Sequence, residues 1–146
     1  MDINALYYRI ALTFIPGIGP MLAKNLVSYT GSVESIFKQS KNKLLKVPGV
    51  GDTLAGNIAT FQHWDRVEKE LNFIQKKDIT PLFYLDDNYP KRLTECQDAP
   101  ILLYYKGNAD LNASRIISLV GTRKATSYGK EMVEKIVGGL ADDGVL

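Results

Sequence analysis

Through the first half of the chain, apolar residues recur at spacings of three and four, the period of a helix with one buried face. Ala5, Leu6, Ile10, Leu12 and Phe14 predict a short amphipathic helix from Asn4 to Phe14. Leu22, Ala23, Leu26 and Val27 mark a second helix, and Leu54, Ala55, Ile58 and Ala59 a later one. Ser32 to Phe37 reads as a short capped helix. Phe61, Trp64, Val67, Leu71 and Ile74 predict a long helix within Thr60–Lys77. Its core stripe accounts for Trp64, leaves His63 facing outward, and ends on Lys76-Lys77, which suit the negative end of the dipole. The period changes at Asp78. Thr80–Tyr84 and Ile101–Tyr105 predict short strands, with Pro81 at an edge or a beginning, and Tyr89, Pro90 and Leu93 suggest a helical turn between them. Ile116 to Val120 is apolar and rich in β-branched residues, the pattern of a strand buried on both faces. Met132, Val133, Ile136, Val137 and Leu140 then predict a helix ending near Asp142-Asp143, with Gly144 at its C-cap. Val145 and Leu146 open another strand. The chain therefore divides into a helical part, 1–77, and a mixed part, 78–146.

One phrase occurs twice. Ile15-Pro-Gly-Ile-Gly19 and Val47-Pro-Gly-Val-Gly51 lie 32 positions apart, and each is followed by an apolar helix. A self-match of this length is an internal repeat. Each copy reads as helix, tight hairpin, helix: the glycines permit positive φ and remove the Cβ that would hold a ligand off the main chain. Ile18 and Val50 turn inward as anchors, and the amides opening the next helix face solvent or a phosphate. The phrase resembles the helix-hairpin-helix family, which grips DNA backbone without reading sequence. The copies differ. Lys24 follows the first and is a plausible phosphate partner, with Pro20 in a first-turn position that tolerates it. Asp52 follows the second, would oppose a phosphate, and is expected to cap the helix. Gly17, Gly19 and Lys24 are therefore the candidate DNA contacts, and the second hairpin is expected to serve packing. Lys38, Lys41, Lys43 and Lys46, between the copies, read as a solvated helix face.

A second candidate site lies where the Ile116–Val120 strand breaks at Gly121. Gly121, Thr122 and Arg123 form a glycine-containing turn, and Thr126 or Ser127 can cap the following helix. Strand, turn and helix in this order present backbone N–H groups to an anion. Arg123 adds a permanently charged planar fork suited to phosphate, Tyr128 is the best stacking candidate nearby, and Lys124 and Lys130 add charge.

Composition limits the alternatives. The 146 residues are 45% hydrophobic, enough for a core, and the longest apolar runs fall far short of a membrane span. The lone cysteine, Cys96, forms no internal disulfide and fits a reducing, cytoplasmic setting. Only one histidine is present, so Cys96 chemistry is not expected, and Asp86-Asp87 beside Asn88-Tyr-Pro reads as a turn and not a metal site. No catalytic residue, metal or cofactor is expected. The net charge of +2 does not argue for nucleic-acid binding by itself.

Several phrases together carry a more specific likeness. Asn88-Tyr-Pro-Lys-Arg-Leu93, Asp98-Ala-Pro-Ile-Leu-Leu-Tyr104, Lys106-Gly107 and Val120-Gly-Thr-Arg123 with Tyr128-Gly129 resemble the DNA-processing protein A family, also called DprA or Smf. The resemblance implies a helical, SAM-like helix-hairpin-helix domain over 1–77. It implies the N-terminal part of a Rossmann-like domain over 78–146, an incomplete βαβ segment. It further implies a bacterial cytoplasmic protein of natural transformation that binds and shields incoming single-stranded DNA and helps load the RecA recombinase. Homodimerisation through the Rossmann-like domain is also implied, and no membrane partner. Gly121, Thr122 and Arg123 match the turn that in the family contributes to the DNA pocket. Family members continue with a serine-glycine and a glycine-isoleucine-aspartate phrase, neither of which is present, so the chain is expected to be a truncated product or to borrow strands from a partner.

Two other functions compete. Related Rossmann-like proteins bind nucleotides at this turn and some hydrolyse nucleoside monophosphates, although a dinucleotide Gly-x-Gly-x-x-Gly phrase is missing after Val120. Alternatively, the helical half is a protein-interaction module in which the glycine hairpins are purely structural.

Overall fold

The computed structural model describes residues 2–146 and separates into two compact units, Met1–Gly107 and Asn108–Leu146. The first unit opens with α1 (Ile3–Thr13), capped by the Asp2 carboxylate on the Asn4 N–H, and α2 (Pro20–Thr30). The short helices α3 (Val33–Phe37) and α4 (Lys41–Leu44) follow, then α5 (Asp52–Ala59) and α6 (Trp64–Lys76). Ser32 caps α3 through the Ser35 N–H. The long helix begins at Trp64, later than Phe61, and His63 is its exposed N-cap residue, whose side chain makes no capping bond.

The apolar stripes meet in two adjoining clusters. Leu12, Ile15, Leu26, Ile36, Leu44, Val47 and Ile58 form one, while Leu6, Ile10, Ala11, Val67 and Ile74 form the other. Trp64 stacks on Tyr7 with ring centroids 5.3 Å apart and meets Phe61 edge-on at 4.8 Å.

β1 (Thr80–Phe83) pairs antiparallel with β2 (Leu102–Tyr105), Thr80 opposite Tyr105, and α7 (Lys91–Thr94) lies between them in sequence. Phe83 and Ile101 are buried in the first helical cluster. Arg9 of α1 clamps the turn after β1. Its Nη1 donates to both Asp86 carboxylate oxygens at 3.0 and 3.1 Å, and its guanidinium lies 4.2 Å from the Phe83 ring centroid. Asp86 also accepts the Phe83 N–H at 3.0 Å. The separation into compact units thus falls after Gly107 and does not coincide with the 77/78 division expected from the change of period. The two-stranded sheet finds its apolar cover on the helices before it.

The second unit contains α8 (Ser127–Asp142). Thr126, not Ser127, is its cap, and Gly144 at φ +67° closes its C-terminus while the Val145 N–H donates to the Leu140 carbonyl. Ile116–Val120 departs from expectation: it forms no strand, Ile117 is 50% exposed and Val120 94%. The physical reason is the length of its pairing. Leu146 donates its N–H to the Arg115 carbonyl at 3.0 Å and accepts the Ile117 N–H at 2.9 Å. Those two bonds have the alternation of a parallel pair, one residue deep and joined across α8.

Candidate nucleic-acid interface

The repeated phrase folds into two matching hairpins. Gly17 and Gly49 take φ of +86° and +87°, a region that side chains other than glycine's rarely enter. Gly19 and Gly51 are extended N-caps, at φ −86°, ψ 174° and φ −88°, ψ 176°. In both copies the residue between the glycines sends its N–H back to the start of the phrase, Ile18 to Ile15 and Val50 to Val47. The copies also pack reciprocally. A Cβ on Gly17 would meet Leu54 at 3.4 Å, and one on Gly49 would meet Leu22 at 3.4 Å, Leu22 and Leu54 being equivalent positions of the repeat. The positive-φ glycines therefore face the other hairpin at ordinary contact distance, and their dihedrals are what call for glycine. The N-cap glycines face open space, with nothing within 4 Å of a Cβ on either.

The helix beginnings differ electrostatically. The first turn of α2 carries no acid, whereas that of α5 carries Asp52. Asp52 is not the cap; it is the first helical residue and pairs with Lys41 at 2.9 Å. The α2 N-terminus is the better anion acceptor of the two. It adjoins a shallow apolar hollow of about 180 Å³ walled by Leu12, Ile18, Pro20, Ala23 and Ile101. Lys24 projects from α2 toward the loop after α7. Its Nζ donates to the Cys96 and Gln97 carbonyls at 3.4 and 3.2 Å and lies 5.9 Å from the Tyr84 ring centroid. Burial pushes the Tyr84 hydroxyl above its ordinary range, so that ring stays neutral beside the lysine.

In the second unit, Gly121, Thr122 and Arg123 form an exposed loop, and every residue from Gly121 to Tyr128 is exposed. The Thr122 hydroxyl donates to the Lys124 carbonyl at 2.9 Å, tightening the loop before α8. The Thr126 hydroxyl accepts the Gly129 N–H at 3.1 Å, and the first turn of α8 carries no acid. Arg123 makes no ion pair among the described residues. Tyr128 is 71% exposed, its ring free to meet a base. Nothing lies within 4 Å of a Cβ on Gly121, so no packing inside the protein requires glycine there.

Gly17, Gly19 and Lys24 thus fall in the first unit and Gly121, Thr122, Arg123 and Tyr128 in the second. Among the described residues no cluster of histidine, cysteine or carboxylate could hold a metal, and no helix is long and apolar enough to cross a membrane. Sequence reasoning missed the Arg9–Asp86 clamp, which joins groups 77 positions apart; a lone arginine on an amphipathic helix gives no local sign of its partner.

Two family models match the chain. One, described as DNA recombination-mediator protein A, covers residues 80–146; the other, a SAM-like Helix-hairpin-helix tandem, covers residues 10–60. The DNA processing protein DprA of Streptococcus pneumoniae is 45% identical over 62 residues, 42% of this chain and 22% of that protein. Protein Smf of Synechocystis sp. is 29% identical over 141 residues, 94% of this chain and 35% of that protein. UvrABC system protein C of Acinetobacter baumannii is 35% identical over 52 residues, 36% of this chain and 9% of that protein. The chain therefore spans about a fifth to a third of the length of the DprA and Smf relatives. No solved structure gives a significant match.

Proposed function

This chain belongs to the DNA-processing protein A (DprA/Smf) family, and we propose on that premise that it binds single-stranded DNA during DNA uptake. In this reading it covers the incoming strand and helps hand it to the RecA recombinase, without enzymatic chemistry of its own. The observation that carries the reading is the turn before α8. There Arg123 stands exposed and, among the described residues, without an ion-pair partner, beside a 16-residue helix whose first turn holds no acid. Arg123 would pair with phosphate oxygens, a charge-assisted contact that its planar fork favours. The amides after Gly121 and the Thr122 hydroxyl would add uncharged donors, and Tyr128 would stack on a base.

The first hairpin supplies a second contact through the Gly19 end of α2, with Lys24 exchanging the Cys96 and Gln97 carbonyls for a phosphate. The second hairpin is the packing partner. Residues 78–146 begin a Rossmann-like domain in this account, and the pairing of Leu146 with Arg115 and Ile117 across α8 supports it. Dimerisation would use the same part of the chain, where Val133, Ile136 and Val137 of α8 stand exposed.

The test is anisotropy of a fluorescein-labelled oligo-dT across several salt concentrations. Arg123→Ala should weaken binding about tenfold or more, as loss of a charge-assisted pair worth about 1.5–3 kcal/mol would. Wild-type affinity in that variant would refute the role given to the turn.

A further inference from the structure

Lys38, Lys41, Lys43 and Lys46 lie together between the two hairpins, and the fold sorts them into two pairs. Lys38 reaches Glu34 at 2.6 Å, one turn back, and Lys41 reaches Asp52 at 2.9 Å. Lys43 and Lys46 have no ion-pair partner among the described residues. Both instead line a cavity of about 300 Å³ with Tyr29, Thr30, Gln39 and Leu44, at the lower end of ligand-pocket sizes. Lysines near the end of a helix commonly serve its unpaired carbonyls, but α2 has other donors for them. The Thr30 hydroxyl donates to the Leu26 carbonyl at 2.8 Å, and the Gly31 N–H to the Val27 carbonyl at 2.8 Å. Among the described residues neither the Lys43 nor the Lys46 ammonium donates to a carbonyl or pairs with a carboxylate.

Their neighbours narrow the ligand. Leu44 is fully buried beneath the cavity, and Tyr29 is 54% exposed at its rim. Gln39 offers an amide donor and acceptor. Two cations beside an accessible ring and an amide match a phosphodiester carrying an unpaired base, because the ring can stack only on a base whose face is free. An acidic peptide would engage the lysines and leave the ring unused. We infer that this groove is a separate contact for single-stranded DNA. It takes a phosphate between Lys43 and Lys46 and stacks the adjoining base on Tyr29, with Gln39 hydrogen-bonding the base edge. The inference rests on the reading that DNA is the ligand, but it uses none of the residues assigned to the turn before α8 or to the first hairpin.

The experiment is anisotropy of the intact chain with fluorescein-labelled oligo-dT at a series of salt concentrations. Lys43→Gln/Lys46→Gln is compared with Lys38→Gln/Lys135→Gln, which removes the same charge from lysines already paired with glutamates. The groove variant should lower the slope of log affinity against log salt by about 0.7, the value for one phosphate contact on a single strand. The control should leave it unchanged. Tyr29→Ala should lose about fivefold or more and Tyr29→Phe should retain wild-type affinity, as stacking requires. All these side chains are exposed, and unchanged circular dichroism melting confirms that the variants fold. If the groove variant matches the control and Tyr29→Ala binds as wild type does, the inference is overturned. It is overturned equally if an acidic phosphopeptide binds the groove and the oligonucleotide does not. Arg123→Ala, measured alongside, separates the two sites: a loss there with none in the groove variants sinks the groove alone, and the converse sinks only the turn.

Discussion

Each hairpin contains two glycines with different reasons for being there, so the same substitution should have different consequences two residues apart. Gly17 sits at φ +86°, where an alanine is strained by about 1–2 kcal/mol. Its Cβ would meet Leu54 at 3.4 Å, ordinary contact, so the backbone carries the cost. Gly19 sits at φ −86°, ψ 174°, with nothing within 4 Å of a Cβ. There alanine restricts the unfolded chain, a gain of about 0.4–1 kcal/mol, and is a poorer N-cap by a similar amount. The net effect is near zero. Gly17→Ala should therefore be less stable than Gly19→Ala by about 1–2 kcal/mol, which displaces the urea midpoint by about 0.5–1 M for a slope near 2 kcal/mol/M. Gly49→Ala and Gly51→Ala should repeat the pair, because Gly49 has φ +87° and Gly51 the dihedrals of Gly19. Trp64, the single tryptophan, stacks on Tyr7 inside the helical unit, so its fluorescence reports unfolding of this unit. Equal midpoints for Gly17→Ala and Gly19→Ala, or the reverse order, would refute the assignment of Gly17 to conformation and Gly19 to access. The affinity of Gly19→Ala for oligo-dT then tests access directly: a new methyl at an open N-cap should weaken binding while leaving stability unchanged.

Asp86→Ala removes the acceptor of two Arg9 bonds and of the Phe83 N–H, leaving a half-buried guanidinium without its carboxylate; a loss of about 2 kcal/mol is expected in urea unfolding. Asp86→Asn should recover part of it, since an amide oxygen can still accept the Phe83 N–H. Thr126→Ala deletes the cap on the Gly129 N–H, worth about 1 kcal/mol, and should speed amide exchange at Gly129, while Thr126→Ser keeps the protection. Lys24→Met should change stability by no more than about 0.5 kcal/mol, because its carbonyl contacts are exposed. It should lower the salt slope of oligonucleotide binding by about 0.7 if the lysine turns to a phosphate, and an unchanged slope would leave Lys24 a purely structural tether.

The helical elements were legible because helix formation is local: the stripes of α1, α2, α5 and α6 and the Ser32 cap needed no information from distant residues. So was the repeat, whose two copies share dihedrals as well as letters. At the candidate turn the capped helix was legible and the strand before it was not; residues 121–128 lie exposed. Misreadings arose where the answer depended on distant partners. Asp52 reads as a cap but is the first helical residue, held by Lys41. Ile116–Val120 has the composition of a buried strand, yet a strand exists only as far as a neighbour pairs with it, and here the pairing reaches a single residue.

By itself, the sequence determined which stretches of the first half form helices and that one hairpin occurs twice, since propensity and spacing act over a few residues. Only the tertiary structure decided that β1 and β2 pack on the helical unit through Phe83 and Ile101 and that Arg9 clamps Asp86. Likewise, only the fold paired Lys38 and Lys41 with carboxylates and turned Lys43 and Lys46 toward a groove with Tyr29. Contacts and ion pairs are fixed by proximity in space, and four lysines within a few positions read alike until the fold gives each its neighbours.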